Sequence, residues 1–311
     1  MHTDNFCVFA EKSQTGGGGA GQVTHNRYVG VKEFDMSEGK LANRGIWQAM
    51  GIPFKSQEWV KMMMSDGESA IEKEFQRMRT LDDSKDAVVK DGLGSDWARF
   101  AYVARERAVK VKQKNGKVRD GGHDGWTLDQ FHRHPNAKLC GLTKAHVLAL
   151  RLYTSNSYWR FNQPLRDRQQ PHPFPETTWY IYEGLKLLRD MNEKDWGHNK
   201  HDEKVYWRGL ADVALPDSRK CEGCELACMS TSHDENEARK FAKGDKCALL
   251  LKLKGDGWMN WGVDLSWLSM YPGEKESLFP PLTLLRFEQA TGATKDGIEV
   301  REVKVQWPSM S

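Results

Sequence analysis

Hydrophobic and polar positions divide the chain into a helical part followed by a strand-rich part. Residues 142–153 are apolar on nearly every side, which is typical of a buried helix, and Thr143 is placed to cap its first turn. Apolar side chains recur at near-helical spacing through residues 176–191 and predict a second helix. Residues 56–79 have helical content as well.

From about residue 203 the pattern changes to short alternating segments. Asp234 is expected to cap a short helix among them. Pro280 and Pro281 cannot lie inside a central ladder, so the residues before them should form a loop that leads onto a strand. Helices first and strands afterwards predict an α+β fold in which the strands form two packed sheets. The segments predict strands at residues 203–210, 226–232, 247–253, 282–287 and 298–307.

The first 95 residues differ in character from the rest of the chain. Four consecutive glycines at residues 16–19 predict a flexible joint, and they lack the Gly-Lys-Ser/Thr of a phosphate-binding loop. We therefore predict a partly flexible N-terminal accessory region at residues 1–95 and a second domain at residues 96–311.

Charge and composition narrow the class of protein. The net charge of +3 over 311 residues is too small to indicate a nucleic-acid partner. Six basic residues between Arg105 and Lys117 predict a solvated helix end and turn, with an acidic partner surface as the alternative. No run of 18 apolar residues and no basic start with an apolar core is present, so we expect a soluble intracellular, cytoplasmic protein without a membrane partner.

Three of the six cysteines form a Cys-x2-Cys-x3-Cys run at Cys221, Cys224 and Cys228. Such a run is compatible with zinc or an iron–sulfur cluster, and His233 is near enough in sequence to be considered as a fourth ligand. Strand alternation in the second half of the run would scatter the ligands. We therefore predict reduced structural thiols and no metal.

A pair of carboxylates stands in the stretch Gly-Glu-Lys-Glu-Ser-Leu-Phe-Pro-Pro at residues 273–281. In an extended chain Glu274 and Glu276 would project to the same side, about 6.5–7 Å apart, while Lys275 points away. Like charges so placed are typical of a site where a cationic substrate or a developing positive charge lies between them. A solvated turn is the alternative.

Three further groups of residues carry possible chemistry. Arg208 closes a predicted strand beside Gly209, where a missing side chain lets a ligand approach the backbone. Three hydroxyls, at residues 230–232, end the next strand, and capping of the following helix would account for one of them at most. Asn162 and Arg166 follow the buried helix, and the arginine is of interest if an anionic ligand lies there.

Arginine on one strand, Ser-Thr-Ser on a second and Glu-x-Glu before a third, in that order, resemble the arginine-specific mono-ADP-ribosyltransferases. The flanking Tyr-Trp-Arg-Gly and the Phe-Pro-Pro after the carboxylates add to the resemblance, which covers roughly residues 140–311. It implies two small perpendicular β-sheets with flanking helices, and NAD⁺ bound as a substrate in the cleft between them. It implies no metal.

The resemblance also implies roles for individual residues. Arg208 would hold the NAD⁺ phosphates and ribose, and the Gly209 backbone would meet the nicotinamide carboxamide. Glu276, oriented by Ser230, would bond the 2′-hydroxyl of the nicotinamide ribose, and Glu274 would position the acceptor guanidinium. Asn162 and Arg166 match positions near the phosphates, and an aromatic side chain would stack on nicotinamide. The remaining candidates for NAD⁺ contact are Thr231 and Ser232, and for stacking Phe241, Trp258 and Trp261.

The chemistry of the implied reaction agrees with two carboxylates. Cleavage of the nicotinamide–ribose bond builds positive charge on the sugar, which a fixed carboxylate stabilises in the transition state. Guanidinium has a pKa above about 12 and needs a carboxylate to orient it and accept its proton. The expected function is transfer of ADP-ribose from NAD⁺ to arginine in protein targets. An NAD⁺ glycohydrolase and an inactive nucleotide-binding or interaction module are the alternatives.

Overall fold

The computed structural model describes residues 9–12, 24–29, 45–47, 49–52, 66–79, 93–107, 120–123, 125–195, 202–211, 221–242, 248–288, 294–295 and 297–308. The helices are α1 (Gly67–Met78), α2 (Asp96–Val103), α3 (Leu128–His132), α4 (Pro135–Leu139), α5 (Lys144–Tyr153), α6 (Tyr158–Arg166), α7 (Pro175–Asp195) and α8 (Glu235–Arg239). The strands are β1 (Phe9–Lys12), β2 (Thr24–Val29), β3 (Glu203–Ala211), β4 (Cys221–Glu225), β5 (Met229–Ser232), β6 (Ala248–Asp256), β7 (Val263–Asp264), β8 (Glu276–Phe279), β9 (Thr283–Phe287), β10 (Thr294–Lys295) and β11 (Ile298–Gln306).

Helix α5 is the buried helix that the sequence predicts. It begins in a capping box, in which the Thr143 hydroxyl accepts from the His146 amide and the His146 ring accepts from the Thr143 amide. All its residues after Lys144 are buried. The second predicted helix is confirmed as α7, four residues longer at its C-terminal end than expected. Asp234 caps α8 by accepting a hydrogen bond from the Asn236 amide, which confirms that prediction.

The strands follow one hydrogen-bonded path with a narrow junction. Their order is β1-β2-β4-β9-β11-β6-β3-β5-β8-β7, and β10 pairs with β11 outside this path. Nine residue pairs join β3 to β6, whereas β3 meets β5 at the single pair Trp207 and Ser232. The strands therefore form two groups, one ending in β3 and the other made of β5, β8 and β7. The α+β class is confirmed.

The predicted strand at residues 226–232 is too long, because the chain bends before β5. Strand β4 ends at Glu225, whose buried carboxylate accepts from the Ala227 amide and turns the chain. The backbone of Cys228 then bonds to the Asn162 side chain instead of to a neighbouring strand. The break expected at Pro280 and Pro281 is present between β8 and β9, but the residues before it do not all form the predicted loop. Residues Glu276–Phe279 form β8, because β5 and β7 pair with them on either side.

Helix α1 lies N-terminal to the predicted domain boundary, yet it packs into the main core. The Phe75 ring lies 5.3 Å from Phe100 and 5.2 Å from Phe174 between ring centroids. Ile71 is also fully buried, and residues 46, 47 and 50 belong to the same core. The boundary between residues 95 and 96 stays a prediction, and the glycine run at residues 16–19 lies outside the described residues.

Arg105 differs from its expected role as part of a solvated basic stretch. Its guanidinium is buried and donates to the Asp120 carboxylate over 2.9 Å and to the Tyr102 carbonyl over 2.6 Å. Tertiary pairing with a carboxylate fifteen residues away draws it inward. Residues 108–119 of that stretch lie outside the described residues. Among the helices that the structure describes, none has the length and apolar character needed to cross a membrane.

Candidate active site

Arg208 bridges the two strand groups beside their junction. It lies on β3 opposite Leu251 of β6, and its guanidinium Nη1 donates to the carbonyl oxygen of Ser230 on β5. Its Nε is buried and has no acceptor among the described residues. A buried donor without a partner is unfavourable in the free protein, and an anionic ligand would satisfy it. The geometry therefore suits Arg208 to binding a hydrogen-bond acceptor beside this junction.

Gly209 is required by the contact between β3 and α8. A Cβ at this position would lie 2.0 Å from the Ala238 carbonyl oxygen and 2.7 Å from the Ala242 amide nitrogen. The end of α8 therefore rests directly on β3, where only glycine fits. The sequence predicts that a ligand approaches the backbone of Gly209 closely, but here the backbone at the end of α8 occupies that place. The contact of Gly209 with a carboxamide stays a prediction.

The three hydroxyls of β5 all act on the carboxylate stretch or its surroundings. Ser230 hydrogen-bonds the Glu276 carboxylate, and Thr231 donates to the Ser277 carbonyl over 2.7 Å. Ser232 donates to the Glu274 carbonyl over 3.4 Å and accepts from the Asp234 amide over 3.0 Å. The hydroxyl triplet thus holds the beginning of β8 in place, beyond any capping role.

Glu276 is a buried carboxylate at the first position of β8. It pairs with Ser232 of β5 and is 9% exposed. Burial raises the pKa of Glu276 to about 7, the hydrogen bond from Ser230 opposes the rise, and the charge of Glu274 adds to it. Perturbed carboxylates of this kind cluster at functional sites. Glu276 therefore changes its charge near neutral pH.

The expectation that Glu274 and Glu276 project from an extended chain is wrong. Residues Pro272–Glu274 form a 3₁₀ turn, and Lys275 adopts a left-handed backbone conformation with φ of 48°. The turn closes because the Glu274 amide donates to the Tyr271 carbonyl and the Lys275 amide to the Pro272 carbonyl. Glu274 still lies close enough to raise the pKa of Glu276, but it is exposed. The turn thus places one carboxylate in solvent and the other inside the protein.

Helix α6 carries the two residues expected near the phosphates. The Asn162 side chain is buried, accepts from the Cys228 amide over 3.1 Å, and donates to the Cys228 carbonyl and the Tyr153 hydroxyl. Arg166 donates through Nε to the fully buried carboxylate of Glu225 over 3.3 Å. Both side chains therefore support the bend that leads into β5, and their contact with a dinucleotide stays a prediction.

Burial distinguishes the three aromatic candidates, which the sequence could not. Trp261 is fully buried, and its indole N–H donates to the Asp202 carbonyl over 3.1 Å. Trp258 is partly buried against the core. Phe241 follows α8 directly, is 64% exposed, and has its carbonyl carbon 3.0 Å from the position of a Cβ on Gly209. Phe241 is therefore the candidate whose ring is open to a ligand beside β3.

Two residues near Glu276 were not among the predicted site residues. Burial is the main cause that raises the pKa of both the Tyr153 hydroxyl and the Cys228 thiol, and the charge of Glu276 contributes to each. Both groups are therefore neutral near pH 7. The sequence singles out Cys228 only as part of the cysteine run, and contacts between distant segments are what place both residues near Glu276. In the part of the chain that the structure describes, no three His, Cys, Asp or Glu side chains are placed to hold a metal.

Comparison with known families gives one match. A model described as NAD:arginine ADP-ribosyltransferase matches residues 99–305, more than half of the chain. No curated protein sequence matches significantly.

Several solved structures are similar at low identity. The type III effector XopAI from Xanthomonas axonopodis pv. citri is 14% identical, with a TM-score of 0.47 over 85% of this chain and 99% of that one. The ADP-ribosyltransferase HopU1 of Pseudomonas syringae pv. tomato DC3000 is 15% identical, with a TM-score of 0.44 over 68% and 96%. The eukaryotic mono-ADP-ribosyltransferase ART2.2 is 16% identical, with a TM-score of 0.43 over 82% and 92%.

Proposed function

Since the chain belongs to the NAD:arginine ADP-ribosyltransferase family, we propose that it transfers ADP-ribose from NAD⁺ to an arginine guanidinium of a protein target. The bond between nicotinamide and C1′ of the ribose breaks, nicotinamide leaves with the bonding electrons, and a guanidinium nitrogen bonds to C1′. One proton leaves the guanidinium. The proposal rests on one observation. Two carboxylates, the buried Glu276 and the exposed Glu274, lie two residues apart in the chain and near Arg208.

Glu276 is assigned to the sugar. Its burial leaves little water to screen its charge, so an ionised Glu276 would strongly stabilise the positive charge that develops on the ribose. The same carboxylate can accept a hydrogen bond from the 2′-hydroxyl of that ribose. Ser230 fixes its orientation by a hydrogen bond, as catalysis by a preorganised charge requires.

Glu274 is assigned to the acceptor. It lies in the turn before β8 and faces solvent, where an arginine side chain of a protein target can reach it. A carboxylate pairs with guanidinium through two parallel hydrogen bonds, which would orient the attacking nitrogen. As the new bond to C1′ forms, the pKa of the attacking guanidinium falls and Glu274 can accept its proton.

The remaining residues are assigned to NAD⁺. The buried Nε of Arg208, which has no acceptor among the residues that the structure describes, suits a phosphate or ribose oxygen, and Arg166 lies on α6 beside the end of β4. The open ring of Phe241 suits stacking on nicotinamide. This chain's residues thus offer donors for the anionic part of NAD⁺ and an apolar surface for its base.

The test uses NAD⁺ labelled in the ADP-ribose part, a small guanidine acceptor, and separate measurement of released nicotinamide and of adduct. Adduct supports transfer, nicotinamide without adduct indicates a glycohydrolase, and neither product indicates a non-catalytic module. Glu276→Gln should lower both products by ~10²–10⁴-fold, the range for removal of a positioned catalytic group. Glu274→Gln should abolish adduct while slow nicotinamide release continues.

Glu288→Gln is the matched control, because Glu288 is a glutamate that pairs with Lys254 and Lys304 away from the site. It should react as the unchanged protein does. The assignment of roles fails if Glu274→Gln forms adduct at the unchanged rate, or if Glu276→Gln releases nicotinamide normally.

A further inference from the structure

The segment that leads to Glu274 is held by side chains from the helical part of the molecule. This segment, residues 265–271, follows β7 and is buried at Leu265, Leu268 and Met270. Three of its backbone groups are bonded to the helical part of the chain, the Leu268 carbonyl, the Met270 amide and the Met270 carbonyl. The turn that bears Glu274 starts immediately after it.

Arg151 of α5 bonds the first of these groups. The guanidinium is fully buried, donates through Nη1 to the Leu268 carbonyl over 2.6 Å, and lies 3.8 Å from the centre of the Phe131 ring. Its Nη2 donates to the Asp120 carboxylate over 3.0 Å. A buried guanidinium needs such a counter-charge, so Asp120 fixes where Arg151 can stand.

Asp120 also bonds the segment directly. Its amide donates to the Met270 carbonyl over 3.1 Å, and its carboxylate accepts from Tyr102 over 2.8 Å and from Arg105 over 2.9 Å. Burial alone would raise the pKa of Asp120, but the charge of Arg151 and the hydrogen bonds from Tyr102 and Arg105 outweigh it and lower that pKa. Asp120 is therefore charged and held by three donors.

Thr154, directly after α5, bonds the remaining group. Its hydroxyl accepts from the Met270 amide over 3.1 Å and donates to the Arg151 carbonyl over 2.9 Å. Thr154 is 7% exposed. The hydroxyl thus links the end of α5 to the residue four positions before Glu274.

Glu276 is positioned by different contacts. Strand β8 pairs with β5 through four residues, and the Glu276 carbonyl accepts from the Leu265 amide. Loosening the Met270 region would therefore move the Glu274 turn while the β8 ladder still holds Glu276. Ser232 contacts both residues, since it pairs with Glu276 and donates to the Glu274 carbonyl, but the bonds at Leu268 and Met270 lie only on the side of Glu274.

We propose that Arg151, Asp120 and Thr154 are positioning residues that set the place of Glu274, and with it the partition of NAD⁺ between arginine transfer and hydrolysis. The inference rests on the proposed function. In this proposal, a buried network that touches no substrate controls the attack of the arginine acceptor on the ribose. Binding and cleavage of NAD⁺ depend on Arg208, Ser230 and Glu276, which this network does not contact directly.

Thr154→Val tests this inference, because valine keeps the shape of threonine and removes the acceptor for the Met270 amide. The ratio of adduct to free nicotinamide should fall by ~10-fold or more, since displacement of a reacting group by about 1 Å lowers rates by up to ~10²-fold. The KM for the guanidine acceptor should rise, and the KM for NAD⁺ should stay within about twofold. Thr154→Ser restores the hydroxyl and should restore the ratio.

Two further variants separate positioning from general loss of stability. Glu74→Ala removes a buried carboxylate that bonds the start of α7, remote from the Met270 contacts, and should destabilise the fold without changing the ratio. Tyr102→Phe removes one donor to Asp120 and should lower the ratio less than Thr154→Val, so it also serves if Thr154→Val does not fold.

The outcomes separate the two proposals. If the unchanged protein forms no adduct, the proposed function fails and this inference fails with it. If the unchanged protein forms adduct, and the folded Thr154→Val and Tyr102→Phe variants keep both its product ratio and its acceptor KM, the positioning role alone is overturned. A ratio that falls equally in Glu74→Ala would also overturn it.

Discussion

One residue separates Glu274 from Glu276, yet the two carboxylates lie in opposite environments. The left-handed conformation of Lys275 turns the chain between them, so that Glu274 meets solvent and Glu276 enters the protein. Burial raises the pKa of Glu276 above its ordinary value. Under the proposed function, this difference in environment would suit one carboxylate to the sugar and the other to the acceptor.

The raised pKa of Glu276 predicts a pH dependence for NAD⁺ cleavage. Burial raises that pKa to about 7, and only the ionised form can stabilise positive charge on the ribose. We expect kcat/KM for NAD⁺ to fall tenfold for each pH unit below about 7 and to level off above it. Initial rates of nicotinamide release between pH 5 and pH 9 measure this. A flat profile over that range would contradict the assignment.

Stability should change with pH in the opposite direction. The folded-state pKa lies above the ordinary value of 4.5, so the folded chain binds the proton more tightly than the unfolded chain does. Ionisation therefore lowers the stability as pH rises from about 4.5 to about 7, by roughly 3 kcal/mol at most. Glu276→Gln should unfold at a higher denaturant concentration than the unchanged protein at pH 8 and show no such gain at pH 4.5.

For single residues, the sequence predicts which ones belong to the site better than it predicts their contacts. The order of Arg208, the serine triplet and Glu276 predicted that these residues meet, and β3, β5 and β8 do bring them together. Nothing local could predict that Arg105 turns inward to Asp120, since that pairing depends on where the segment after β7 packs. Polar networks between distant segments leave no periodic signal.

At the scale of elements, α1 supplies a carboxylate to the start of α7. The Glu74 side chain accepts from the Glu176 amide over 2.8 Å, the Thr177 amide over 2.9 Å and the Thr177 hydroxyl over 2.6 Å. The first amides of a helix have no partner within the helix, and the carboxyl oxygens of Glu74 accept from them although burial raises the pKa of Glu74. Helix α1, which lies outside the residues matched by the family model, therefore supplies the hydrogen-bond acceptor for the first amides of α7.

Glu74→Ala should consequently lower the free energy of unfolding by about 1–3 kcal/mol, because it leaves buried amides without an acceptor. Denaturant unfolding monitored by circular dichroism measures the change. Glu72→Ala is the matched control, since Glu72 lies on the same helix and accepts an exposed bond from Gln76. That variant should remain within about 0.5 kcal/mol. Equal effects of the two substitutions would argue against the capping role.

Element boundaries show where sequence reasoning reaches its limit. The cap at Thr143 predicts the start of α5 and the paired prolines predict a break before β9, because these signals act within a few residues, whereas β8 lies where a loop was predicted. The bend at residues 226–228 depends on Asn162, which is more than sixty residues away in the chain. The turn at Glu274 was missed for a related reason, since an extended conformation was assumed where a 3₁₀ turn forms.

At the scale of the molecule, the core extends beyond the predicted catalytic domain. A chain beginning at residue 96 would lose Phe75 and Ile71 from contact with the remaining core. Removing a buried phenylalanine side chain alone costs roughly 3–5 kcal/mol. We expect such a chain to unfold at a much lower denaturant concentration, yet to cleave NAD⁺ at an unchanged rate per folded molecule, because every proposed site residue is retained.

A chain beginning at residue 66 is the comparison, since it keeps α1 and should recover much of the lost stability. Folded fractions from circular dichroism and rates of nicotinamide release measure both effects. A chain from residue 96 that is folded but inactive would place part of the N-terminal region in the active site, and the boundary at residues 95 and 96 would be wrong.

The single pair between β3 and β5 acts mechanically as a pivot. Trp207 faces Ser232 there, and Ser232 is also the partner of Glu276 on the other side. Residues close to a pivot move least, so rotation of the two strand groups about this pair would displace the far ends of the strands most, and Arg208 and Glu276, which lie beside the pair, least. Such a rotation would separate the far ends of the two groups while the guanidinium and the carboxylate beside the pair keep their relative positions.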